Sequence, residues 1–181
     1  MKKPYIAAGI VLAAIIGISS AYYLVPSPAP ERTFYIVSYH WGFAAFDENG
    51  VELDEIRVPK GTEVTLYAIN HHAHDALHEF PTMVHEGIED VDFHGRSEVE
   101  GIVPEPADTT LHELIEEAEE QELLDHGLLL MEFGINAVLE AHATEPLELV
   151  FTVDTAGEYT FSCTVYCGYG HEYMKFTLFV T

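Results

Sequence analysis

Basic residues are scarce in this chain. Seven Lys and Arg stand against 31 Asp and Glu, a formal net charge of −24 over 181 residues. Nucleic-acid binding by electrostatics is excluded, because phosphate contacts require clustered cations. Cysteine is equally sparse. The only two, Cys163 and Cys167, leave no second pair elsewhere for a structural zinc site, which commonly joins two separated Cys/His pairs. Tryptophan occurs once, at position 41. So acidic a surface destabilises a compact state by self-repulsion unless salt screens it, which points to a high-salt environment. A docking face for a basic partner is the alternative, and the two are compatible.

Against this background the run from Cys163 to Met174 stands out. Two thiols, the imidazole of His171 and the thioether of Met174 follow the pattern Cys-x3-Cys-x3-His-x2-Met. These soft and borderline donors select copper over hard cations. A blue-copper site uses one Cys, so the second thiol needs its own explanation. Two thiolates four residues apart can bridge two copper ions. A Cys163–Cys167 disulfide and a reduced pair in a core are the readings without metal.

The same run resembles the binuclear copper (CuA) loop of subunit II of the haem–copper terminal oxidases. The resemblance is to the B-type branch, through Cys-x-x-Tyr-Cys-Gly-x-Gly-His at Cys163 to His171. It implies a ligand set of Cys163 and Cys167 as bridging thiolates, His171 and a second His as terminal ligands, Met174 as a weak axial ligand and the carbonyl of Val165.

Along the chain, Tyr5 to Val25 is an apolar run without charge, about the 20 residues needed to cross a bilayer. Lys2 and Lys3 precede it and place the N-terminus in the cytoplasm, with the rest of the chain outside. A cleaved signal peptide competes, since Ser19, Ser20 and Ala21 supply small residues near the end of the run. The run's length and Tyr22 and Tyr23 favour an anchor over residues 1–25. Residues 26–32 form a Pro-rich spacer. Short strand patterns follow at Thr33–Tyr39 and Val64–Ile69, with an Asn-Gly turn at Asn49-Gly50. Further strand patterns lie at Leu147–Val153 and Ala156–Phe161. The expected fold is an all-β, cupredoxin-like Greek-key sandwich over residues 33–181, with one N-terminal transmembrane helix.

Two segments compete to supply the second His: His78, within Asp75–Phe80, and His126, within Leu124–Leu128. The resembling family places this His about three dozen residues before the first Cys. His126 lies 37 residues before Cys163 and His78 lies 85 before it, so His126 is the expected ligand and His78 its alternative. Residues of about 71–124 then form an acidic, partly helical insertion. Its first half carries His71, His72, His74, His78, His85 and His94 and reads as a solvated, pH-responsive loop or a metal-capturing tract. Its second half holds one helix, with a Thr110-x-x-Glu113 capping box and an apolar face of Leu111, Leu114, Ile115 and Ala118.

The resemblance, covering roughly residues 33–70 and 124–181, implies an electron relay. A centre of two copper ions would accept electrons from a soluble donor, such as a cytochrome c or a small blue-copper protein. It would pass them to the haem–copper catalytic subunit I, which reduces dioxygen to water. Trp41 reads first as a core or rim aromatic of the sandwich; the resemblance, which in many members places an aromatic here on the route by which electrons reach copper, makes electron entry the alternative. The large insertion, Leu128 where an aromatic is common, and a single expected membrane helix depart from the wider family pattern. A copper module of a nitric-oxide reductase and a membrane-anchored copper carrier are the alternative functions.

Overall fold

The computed structural model describes residues 29–93, 96, 101 and 103–181. The expected anchor, residues 26–28 of the Pro-rich spacer and His94 lie outside these residues. Among the described residues no helix is long and apolar enough to cross a membrane.

Among the described residues ten strands form two five-stranded sheets. The first contains β1 (Glu31–Tyr39), β2 (Gly42–Phe46), β3 (Glu52–Leu53), β5 (Thr62–Asn70) and β8 (Leu147–Val153), in the order β3-β2-β1-β5-β8. The second contains β4 (Ile56–Val58), β6 (His126–Leu130), β7 (Ile135–Leu139), β9 (Gly157–Ser162) and β10 (Lys175–Val180), in the order β4-β10-β9-β6-β7. The main core lies between the sheets. Phe34, Ile36, Leu66 and Val153 of the first meet Ile56, Leu128, Phe161 and Leu178 of the second.

β1 is buried on both faces, and this explains its unbroken aromatic and β-branched run. Phe34 and Ile36 point into the sandwich, while Tyr35, Val37 and Tyr39 point outward into a second cluster. The cover over that outer face comes from the segment after β5. Helix α1 (His74–Leu77) contributes Ala76 and Leu77, Phe80 follows it, and helix α2 (Thr82–Glu89) contributes Val84 and Ile88. The expected solvated loop is therefore partly a packed lid on the first sheet. Two glycines let the lid close: Gly50 turns at φ 75°, and a Cβ on Gly87 of α2 would overlap the Gly50 carbonyl.

Helix α3 (Leu111–Glu120) carries the expected capping box. Thr110 accepts from the Glu113 amide, and the Glu113 carboxylate accepts from the Thr110 amide. Leu111, Ile115 and Ala118 face the main core, leaving the glutamates toward solvent. Among the described residues no strand occurs between Asn70 and His126.

Candidate metal centre

His126 opens β6, which lies beside β9 through the Leu129–Ser162 pair. Cys163 is the first residue after β9, so adjacent strands bring two residues 37 positions apart into one place. Buried polar groups fix the approach to β6. Asn70, at the end of β5, donates from Nδ2 to the carbonyls of Leu124 at 2.7 Å and Leu139 at 3.1 Å. The Asp125 carboxylate accepts from the Ala141 amide at 2.8 Å.

One ring nitrogen of His126 and the two sulfurs of Cys163 and Cys167 all lie within 4.8 Å of one another. The cysteines are free thiols with sulfurs 3.9 Å apart, so the disulfide reading does not describe this structure. His126 is fully buried, and neither of its ring nitrogens has a hydrogen-bond partner. A buried unsatisfied imidazole is costly and demands an explanation, which a metal ion meets.

The loop from β9 to β10 gathers the remaining expected ligands. The Cys163 thiol donates to the Val165 carbonyl at 3.1 Å, and the Gly127 amide donates to Cys163 Sγ at 3.2 Å. His171 sits in a short 3-10 turn (Tyr169–Tyr173), its Nδ1 3.8 Å from Cys167 Sγ. Met174 is buried, with Sδ 3.5 Å from the same sulfur. His78 lies apart from this group: it is exposed at the C-terminal end of α1, its ring 5.0 Å from that of His85.

The two thiols differ in acidity. Cys163 is held well below the ordinary thiol range, foremost by its interaction with Cys167 and then by His126 and the Gly127 N–H, against the opposing effect of burial. Cys167 is raised by the same sulfur–sulfur interaction, by burial and by the neighbouring charge. The pair thus carries one readily formed thiolate. Two sulfurs, two imidazoles and a thioether make a soft set that fits copper.

Trp41 lies beneath this loop. It is fully buried, and its Nε1 donates to the Cys167 carbonyl at 2.6 Å. Gly170 is pressed against the indole face, where a Cβ would overlap the ring. Gly168 takes φ 101°, a conformation that favours glycine, beside Trp41 and Ala118 of α3. Helix α3 thus forms one wall of the site. A cleft of about 230 Å³ separates it from the loop, lined by Leu114, Glu117, Tyr166 and Tyr169 among others. Tyr169 packs edge-on against Trp41 at 6.0 Å and is 40% exposed, so it, not the buried indole, reaches the surface. Tyr166, 66% exposed, lies beside His171.

Sequence reasoning assigned no role to His40, Asn70 or Gly127. His40 is 2% exposed, and its ring lies 5.1 Å from that of His126. Its position within a buried aromatic run was the available signal. Gly127 is closed in by Thr164 and Val165, whose atoms a Cβ would overlap.

No protein-family model matches the chain, and no curated protein matches it. Solved structures with similarity include the periplasmic domain of subunit II of cytochrome oxidase (CoxB) of Bradyrhizobium japonicum, at 14% identity and TM-score 0.49, covering 87% of this chain and 88% of that one. A mixed-disulfide complex of a thioredoxin-like protein with subunit II of cytochrome c oxidase gives 13% identity and TM-score 0.46, covering 87% and 86%. A haem–copper terminal oxidase dimer gives 15% identity and TM-score 0.44, covering 97% and 98%.

Proposed function

We propose that this chain is the electron-accepting subunit of a respiratory terminal oxidase and holds a binuclear copper centre in a cupredoxin-like domain. The observation that carries the reading is the convergence of buried, unbonded His126 with two free thiols 3.9 Å apart. Cys163, Cys167, His126 and His171 would hold the two ions. Met174 and the Val165 carbonyl would be the weak ligands. A copper pair so held supplies one-electron storage, since thiolates stabilise reduced copper and imidazoles tolerate both oxidation states.

The chain's own residues hold the ligands still, which keeps rearrangement small when charge changes. Gly127 N–H bonds one sulfur, Trp41 fixes the backbone at the other cysteine, and β6 and β9 are rigid strands. Burial of His126, Cys167 and Met174 excludes water from the ligand cluster. Tyr169, exposed and in ring contact with Trp41, provides a surface point through which a donor's electron reaches the Cys167 backbone.

In this reading residues 1–25 anchor the chain with its N-terminus in the cytoplasm, residues 26–32 are a spacer, and the domain of residues 33–181 faces outward. A soluble donor, a cytochrome c or a small blue-copper protein, docks there. The catalytic subunit I receives the electron and reduces dioxygen. A charge of −24 suits a halophile, and the loop pattern suits the B-type branch.

Purification of the full chain from its native membrane in detergent tests the assignment. The expected result is two coppers per chain and a copurifying multi-helix haem subunit that consumes dioxygen. Nitric-oxide reduction by that subunit identifies the reductase alternative. Copper given up readily to a chelator, without a catalytic subunit, identifies a carrier.

A further inference from the structure

His40 follows β1, and His71 and His72 follow β5, the parallel neighbour of β1, so the first sheet brings three imidazoles to one end. One ring nitrogen of each lies within 4.8 Å of the other two. The rings of His71 and His72 are 3.7 Å apart, and that of His40 lies 6.2 and 6.0 Å from them. His40 is almost completely buried, and His71 and His72 are half-buried.

The hydrogen bonds orient two of these rings. A carbonyl only accepts, so the 3.1 Å contact of His40 Nε2 with the Leu123 carbonyl makes that nitrogen a donor. The 3.3 Å contact of His71 Nδ1 with the Ser38 carbonyl does the same. The lone pairs then sit on His40 Nδ1 and His71 Nε2. Carbonyl-bonded imidazoles of this kind are the usual way a metal-ligating His is fixed in tautomer and orientation. A set of three imidazoles, joined by no carboxylate or thiolate among the described residues, suits zinc or copper(II) and does not suit calcium or magnesium.

We propose that His40, His71 and His72 form a second, mononuclear site for a borderline divalent cation, copper(II) or zinc. It clamps the β1–β2 turn to the end of β5. It uses none of the ligands of the thiolate centre, although His40 touches His126, so it stands or falls independently of the electron relay.

The test titrates Cu2+ into the full-length Cys163→Ser/Cys167→Ser chain in detergent, where the thiolate centre is disabled. One Cu2+ per chain is expected, with pulsed paramagnetic resonance counting three imidazole nitrogens, and uptake persists when His126→Ala is added. Adding His71→Ala/His72→Ala lowers the affinity at least about 100-fold, since even outer-shell partners contribute 10- to 100-fold. His78→Ala/His85→Ala leaves it unchanged. His72→Gln, which keeps the side chain's bulk, serves if the double alanine variant loses its circular-dichroism signature. Uptake that depends on His126, that depends on His78 and His85, or that ignores His71 and His72 overturns the proposal, as does a folded chain that takes up no Cu2+.

Discussion

The indole nitrogen of Trp41 donates to the carbonyl of Cys167, 126 residues later, at 2.6 Å, and ties the turn after β1 to the centre of the thiol loop. Trp41→Phe removes this bond, leaves a buried carbonyl without its donor and opens space beneath Gly170. The expected loss is about 1–3 kcal/mol in denaturant unfolding of the metal-free chain. If Trp41 also carries electrons, transfer from donor to copper slows in the same variant. An unchanged transfer rate with lowered stability leaves packing as its only role.

Gly127→Ala places a methyl group against Thr164 and Val165 and pushes the loop away from β6. The expected outcome is a folded chain about 1–3 kcal/mol less stable, with copper uptake impaired beyond what that destabilisation explains. Copper titration beside a thermal melt checks it.

His71 carries a pH dependence. Burial, with His72, His126 and His40 nearby, pushes its pKa from 6.5 down to about 2, against the Ser38 carbonyl bond. Below pH 6.5 the unfolded chain therefore binds a proton that the folded chain refuses. This contribution to stability is complete above pH 6.5 and falls by at most about 1.4 kcal/mol per pH unit as the pH drops toward 2. In chelator, unfolding of the parent chain between pH 7 and 4 is expected to show a steeper loss than His71→Gln. Parallel curves would contradict it.

Thr110→Ala removes the cap of α3, the helix that walls the site, at an expected cost of about 1 kcal/mol. Because Ala118 of this helix lies against Gly168, the variant also broadens the paramagnetic spectrum of bound copper. A spectrum unchanged at equal copper content would separate the helix from the site.

Much of the sandwich is legible locally. β8 alternates inward and outward residues from Leu147 to Val153, and the Thr110–Glu113 box announces α3 by its own chemistry. β2 has no local signature, because Gly42 to Phe46 is buried throughout and shows no alternation. The lid is hidden in the sequence for a related reason. Histidines signalled solvent, yet Ala76, Leu77, Phe80, Val84 and Ile88 cover a sheet face that only the folded β1 creates. At the site, spacing pointed to His126, and the structure sets it, not His78, beside the thiols. His40 and Gly127 were invisible because their roles come from pairing between distant strands.

The central claim is most directly tested by the paramagnetic resonance spectrum of the copper-loaded chain, compared with His126→Ala and His78→Ala. The account predicts hyperfine structure from one electron shared between two copper nuclei, altered or lost in His126→Ala and kept in His78→Ala. A single-copper spectrum in the parent chain, or sensitivity at His78 and not at His126, would contradict it.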